Sequence, residues 1–183
     1  MNTEQRNHLE RRLKSASDTV ESLFERYTEE QLTQKPAQHS WSAVECVAHL
    51  NITMVAVAPL LKAAIHDLRS KNRTTVDPSR MDWMGRAVNW FLKPPPRFKT
   101  TTAASFQPLS VDSCTEELKT FRKNQIQLIE ILGAADGLRL SERKIVSPFD
   151  HRVKYNAYSM LCIVVTHEER HIWQAQLALK NCV

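Results

Sequence analysis

The chain has 183 residues, of which 42% are hydrophobic and 25% charged, with only 3 glycines. That size suits one domain with a real core, and scarce glycine argues against a turn-rich β-sandwich and for helices. The formal charge of +5 is spread over scattered residues such as Arg11, Arg12, Lys14, Lys71, Arg73, Arg143 and Lys144, without an arginine block or an aromatic-basic motif, so a nucleic-acid partner is not expected.

The N-terminal residues are polar and lack the apolar stretch of a signal segment. Residues Leu9, Leu13, Ala16, Val20, Leu23 and Tyr27 recur at alternating steps of four and three, which predicts an amphipathic helix ending near Glu30. A second helix opens at Ser42, with Glu45 three residues on as a capping box. Its stripe runs Val47, Leu50, Met54, Val57, Leu61, Ile65 and Leu68, and Pro59 inside it should kink it.

Periodicity then weakens from Lys71 to Ser110. Asp82 to Phe91 reads as a short helix, with Trp83 and Trp90 expected to pack on the bundle, and Pro94, Pro95 and Pro96 end it. The stretch through Phe106-Gln107-Pro108 reads as a long crossover loop. A third long helix is expected from about Asp112, with Ser113 and Glu116 as a further capping box and Gly133 as its stop. Ala134 to Lys154 reads as loop, and a last helix from about Asn156 to Leu179 carries Leu161, Val164, Val165, Ile172, Ala175 and Leu179 on its core face. Four long amphipathic helices predict an all-α fold, a four-helix bundle with a long crossover between the second and third long helices, as a single domain over residues 1–183.

None of Cys46, Cys114, Cys162 and Cys182 forms a Cys-x-x-Cys pair, and Cys46 and Cys162 lie in apolar helical patterns. The longest apolar run, Met160 to Val165, falls far short of the roughly 20 residues that span a bilayer. A reduced, cytoplasmic setting with no membrane contact is the expectation.

The sharpest local feature is Thr166-His167-Glu168-Glu169-Arg170-His171. Two histidines four apart share one helical face, with Cβ atoms about 5–6 Å apart, so both imidazoles can reach one cation. The plain alternative is two ordinary helix-surface histidines. The string also matches the zinc-protease pattern H-E-x-x-H. Such enzymes take a further ligand downstream, and Ile172 to Val183 contain no His, Asp or Glu. Glu168 therefore reads as a solvated or core-edge carboxylate rather than a protease base. Any further ligand comes from upstream, and His49, inside a confident helix one turn after Glu45, is the best candidate. Spacing alone leaves it between a ligand and a packed histidine. His8, His39, His66 and His151 read as terminal, loop or helix-end positions.

Two segments resemble the DinB-like superfamily, which includes the YfiT-type metal-dependent hydrolases. Trp41-Ser42-Ala43-Val44-Glu45-Cys46-Val47-Ala48-His49-Leu50 resembles that family's W-S-x-x-E-x-x-x-H-L opening of the second helix. Thr166-His167-x-x-Arg170-His171-x-x-Gln174 resembles its T-H-x-x-R-H-x-x-Q in the last helix, and Phe98 to Pro108 is similar to its crossover segment ending in aromatic-x-Pro. The resemblance implies a bundle with a crossover and one divalent metal ion, nickel or zinc, on His49, His167 and His171. Imidazole suits both metals.

Three protein ligands leave a position open, which marks a catalytic metal more than a structural one. Such a metal lowers the pKa of bound water towards about 7 or binds a thiolate, giving hydrolysis or thiol transfer, and the family includes low-molecular-weight-thiol transferases. The expectation is a metal-dependent hydrolase or S-transferase acting on a small molecule, with a non-catalytic, stress-associated metal-binding bundle as the alternative. Arg170 and Gln174 are candidates for orienting the histidines or contacting substrate, and Glu45 for capping its helix or supporting a histidine. No catalytic residue is read from the sequence. Related bundles often pair, which makes a homodimer the expectation.

Overall fold

The structure is a computed structural model that describes residues 1–96, 102–108, 111 and 113–180. Among the described residues are six helices: α1 (Thr3–Arg26), α2 (Glu29–Thr33), α3 (Ala43–Ser70), α4 (Trp83–Leu92), α5 (Cys114–Ala135) and α6 (Ala157–Lys180). Two three-residue strands, β1 (Lys144–Val146) and β2 (Lys154–Asn156), pair antiparallel with Ile145 opposite Tyr155. Short 3-10 turns lie at Ala104–Phe106 and Leu140–Glu142. The fold is mainly helical, with this small hairpin as its β element.

Local chemistry accounts for most of the helix starts. Ser42 and Glu45 form the expected reciprocal box, with the Glu45 N–H donating to Ser42 Oγ at 3.3 Å and the Ser42 N–H to Glu45 Oε2 at 2.8 Å. A second box, Thr28 with Gln31, starts α2 and divides the stretch read as one helix to Glu30. At α5 the box is half formed. Ser113 Oγ accepts from the Glu116 N–H at 3.4 Å, but the Glu116 carboxylate turns to Lys119 instead. Asp112, the expected start, lies outside the described residues. Gly133 does not stop α5, which runs to Ala135; the left-handed residue is Gly137, at φ 71°.

Proline 59 does not end α3. It is exposed, and the residue whose carbonyl it leaves unpaired, Val55, is 75% exposed, so water can take the vacated bond. By length and composition α3 is also the one helix among the described residues apolar enough to cross a membrane, with a mean hydropathy of 1.7; 67% of that window is buried in the protein. Counting uninterrupted apolar runs hides this, because single polar residues break up the stretch.

Helix α1 packs on α5 and α6, α3 packs on the same two, and α4 packs on α6. Leu9 and Leu13 meet Val57, Leu61, Leu128, Leu132, Met160 and Leu161 in the main core. Smaller clusters join Val47, Leu50, Phe121 and Ile172, and join Leu32, Val44, Ala175 and Leu179. His49 and His171 each sit next in sequence to these cluster residues. Cys46, Cys114 and Cys162 are buried free thiols, pushed above the ordinary thiol range by burial; Cys182 lies outside the described residues.

The two tryptophans expected to pack on the bundle lie at its surface. Trp83 is 76% and Trp90 51% exposed. Helix α4 docks through its other side, where Gly85 meets α6: a Cβ on Gly85 would lie 2.2 Å from Ser159 Cβ, so only glycine allows this approach. Asp82 caps α4, accepting from the Gly85 N–H at 2.8 Å, and also accepts from the Asn156 N–H at 2.8 Å and from Lys144. The stretch read as loop up to Lys154 therefore holds the hairpin, which hangs on Asp82.

Candidate metal centre

The capping box at Ser42 sets the start of α3 and places His49 one and a half turns inside it, 2% exposed. Helix α6 presents His167 and His171 one turn apart to the same space. The ring centroids of His49 and His167 are 5.1 Å apart, those of His49 and His171 4.4 Å, and those of His167 and His171 4.5 Å. One nitrogen from each ring lies within 4.8 Å of the others. The three residues taken from two distant segments do converge.

The finest detail is at His49. Its Nδ1 lies 2.7 Å from the Phe106 carbonyl oxygen, and a carbonyl only accepts, so Nδ1 carries the proton. The lone pair is then on Nε2, which lies 3.2 Å from His167 Nε2. Two nitrogens bound to one tetrahedral ion at about 2.0–2.1 Å each stand about 3.3 Å apart, so this pair already has the spacing of a shared cation. A nitrogen of His171 completes the group, within 4.8 Å of the other two.

Burial keeps all three rings neutral. It pushes His167 down to about 3, helped by His49 and the Arg170 charge. It holds His171 well below the ordinary imidazole value, with His167, His49 and Arg170 adding and a Gln174 hydrogen bond opposing. It lowers His49 as well, against the Phe106 bond. Neutral imidazoles are the ligating form. His171 Nδ1 is buried without a hydrogen-bond partner, a polar atom that an ion or a ligand would satisfy.

A family model for the DinB superfamily matches residues 12–175, a span that contains all three histidines. The chain belongs to the DinB superfamily. No curated protein and no solved structure matches it significantly. The triad of this DinB-superfamily chain can hold a metal ion, by the number, type and spacing of its donors. The H-E-x-x-H match is explained without a protease, since the third imidazole comes from 118 positions upstream of His167.

The other candidate residues separate into distinct roles. The Glu45 carboxylate is taken up by Ser42 and by Lys35 at 2.7 Å, so it caps α3. Gln174 lies within hydrogen-bonding reach of His171 and acts against the lowering of its pKa. Arg170 is buried, and its Nη1 donates to the Phe91 carbonyl at 3.2 Å, fastening the end of α4 to α6 beside the triad. His8, His39, His66 and His151 are exposed and stand apart from the cluster.

Of the two readings of Glu168, solvated or core-edge, the structure excludes the first: it is 7% exposed, with Gln125 Nε2 of α5 donating to its Oε1 at 3.0 Å. Burial pushes its carboxyl up to about 8. Glu169, by contrast, faces α1, where Arg12 forks onto it at 2.7 and 2.8 Å. Three further contributors were given no part in the site from the sequence, although Trp41 and Phe106 stand in the quoted motifs. The Phe106 contribution is a backbone carbonyl. Trp41 walls the site, 4.8 Å from His49 and 5.7 Å from His171 between ring centroids, and Phe149 of the hairpin loop lies 6.0 Å from His167 and 4.7 Å from Phe106.

Proposed function

We propose that this DinB-superfamily chain binds one divalent metal ion, nickel or zinc, through His49, His167 and His171, and uses it as a hydrolase or thiol-dependent S-transferase on a small molecule. The observation that carries the reading is the pair of facing Nε2 atoms, 3.2 Å apart, with the His49 proton held on the opposite nitrogen by Phe106. When bound, such an ion supplies Lewis acidity, which turns a water or a thiol into a nucleophile near neutral pH. The chain's own residues then do the positioning. Phe106 fixes the His49 tautomer, Gln174 steadies His171, and Trp41 keeps bulk water from one side of the rings. Three protein donors leave room for a reacting molecule.

The proposal extends to the architecture and setting. The four long helices α1, α3, α5 and α6 form a four-helix bundle, with the long crossover between α3 and α5, as one domain. The chain works in the cytoplasm as a homodimer, on a small molecule rather than on nucleic acid or a membrane.

A second reading, a metal-binding bundle without turnover, is favoured by one observation: His49 is 2% and His171 6% exposed, so two of the three rings are closed off from solvent and only His167 is partly exposed. Metal analysis of the purified protein, with each histidine replaced by alanine, tests the shared premise. Turnover of a thiol with an electrophile, lost in His171→Ala, selects the enzyme; stoichiometric metal without turnover of any thiol or ester selects the second reading. Casein is not expected to be cleaved under either.

A further inference from the structure

Helix α4 leaves one side uncovered. Gly85 is buried against α6, and Met84, Val88 and Leu92 pack on the main core. The opposite side carries Trp83, Ala87 and Trp90, at steps of four and three, and all three are exposed. Tryptophan is highly buried on average, so two of them at 76% and 51% exposure on one stripe mark a surface built for a partner.

Spacing sets the shape of that partner. Steps of four and three form the seam along which two helices pair, two positions in every seven. The two tryptophans stand about 10.5 Å apart along the axis, at 1.5 Å per residue. Only the Ala87 methyl lies between them on the stripe. That leaves a notch into which a leucine of a second helix fits as a knob. A helix that lies in a lipid surface shows a broader apolar face than this.

Charge sets its chemistry. Arg86 and Lys93, seven residues apart, flank the seam on one side, at positions that govern partner choice in paired helices. Both are exposed, and neither has an ion pair among the described residues. From Pro78 to Pro96 the one acid is Asp82, which is taken up by Lys144 and by the Gly85 and Asn156 N–H groups. A second copy of α4 laid antiparallel on the first would set these cations against their own counterparts, and like charges at that range repel. The face therefore complements an acidic surface rather than itself.

We propose that the outer face of α4 docks an amphipathic helix of another protein, with leucine-like side chains along its seam and glutamate or aspartate opposite Arg86 and Lys93. The footprint is that of a 10-residue helix, which suits a transient contact rather than a permanent one. The inference goes beyond the metal reading and does not rest on it.

The probe is a dye-labelled synthetic helix of three heptads, with leucine on the seam and glutamate at the flanking positions, whose own charges keep it from pairing with itself. A control peptide carries lysine in place of the glutamates. Fluorescence anisotropy with the full-length chain should show the acidic peptide binding at least tenfold tighter than the control. Arg86→Glu combined with Lys93→Glu should reverse that order. Trp83→Ala combined with Trp90→Ala should weaken the acidic peptide at least tenfold, with the thermal unfolding curve unchanged because both rings are exposed. Absence of binding, equal binding of the two peptides, or an order that the charge reversal leaves as it was overturns the proposal. Two controls overturn it in favour of another occupant. One is co-sedimentation with vesicles of equal parts phosphatidylcholine and phosphatidylserine that the charge reversal abolishes. The other is a dimer in analytical ultracentrifugation that Trp83→Asp dissociates.

Discussion

The Phe106 carbonyl accepts from His49 Nδ1 across 57 positions of sequence, at 2.7 Å. A loop thereby controls a helix residue: the crossover decides which nitrogen of His49 carries its proton. Partners of this kind typically change metal affinity by about 10–100-fold when lost. Phe106→Gly frees the backbone at this point and removes the stacking on Phe149. Zinc or nickel affinity, measured by chelator competition, is expected to fall about tenfold with the helical content unchanged. His49→Ala should fall much further. Equal affinity in Phe106→Gly and the unaltered chain would remove the carbonyl from the account.

The metal-free protein should be acid-sensitive in a defined window. His167 titrates near 3 when folded, and His171 and His49 are also held down, whereas an unfolded histidine titrates near 6.5. Below about pH 6.5 the unfolded chain therefore binds more protons than the folded one, and stability falls as pH falls. Each such histidine contributes a slope on the order of 1.4 kcal/mol per pH unit, until its folded form also titrates. Urea denaturation of chelator-treated protein from pH 7.5 to 4.5 measures it, and His167→Gln should flatten the curve. A flat profile in the unaltered chain would contradict buried neutral imidazoles.

Much of this site was legible in the sequence, and its omissions have physical causes. His167 and His171 declare themselves because helical spacing alone puts them side by side. Ser42 and Glu45 announce the helix that carries His49, but one turn of spacing cannot say what that histidine faces; the motif resemblance supplied the link. Phe106 acts through a backbone oxygen, which has no sequence signature. Glu168 was left between solvent and core edge because a helical wheel shows direction but not which neighbour lies there, and α5 fills that side with Gln125. The hairpin was missed because strands of three residues are too short to display a period of two. Trp83 and Trp90 were expected to pack on the bundle, yet the close approach at Gly85 turns the opposite side of α4 inward.

Asp82 holds three elements at once, so its loss should be costly. Burial alone would push its pKa up, but Lys144 and the N–H groups of Gly85 and Asn156 outweigh that and hold it below the ordinary aspartate value. Asp82→Ala should cost about 2 kcal/mol at pH 7, from the lost cap and the stranded donors. Because the folded pKa is the lower one, the contribution of Asp82 is complete above the unfolded value near 3.8 and disappears as pH falls through the folded one. The difference between the two proteins in urea should therefore shrink at very low pH. A cost below about 0.5 kcal/mol at pH 7 would show that the hairpin is held elsewhere.

Gly85→Ala tests the seat of α4. The added methyl would come within 2.2 Å of both Ser159 Cβ and Oγ, so α4 must lift or Ser159 must give way. A loss of about 1–3 kcal/mol is expected. The Ser159→Gly change makes room, so the double variant should be less destabilised than the two single losses added together. Simple additivity would mean that the two helices do not meet at this point.

The buried thiols have a practical corollary. Cys46, Cys114 and Cys162 belong to α3, α5 and α6 in turn, and each is shielded in the native state. In a Cys182→Ser background, an alkylating reagent can reach a sulfur only when the helix around it comes loose. Mass spectrometry of the labelled peptides would then time the loosening of three separate helices in one reaction, and adding zinc would reveal which of them an ion clamps shut.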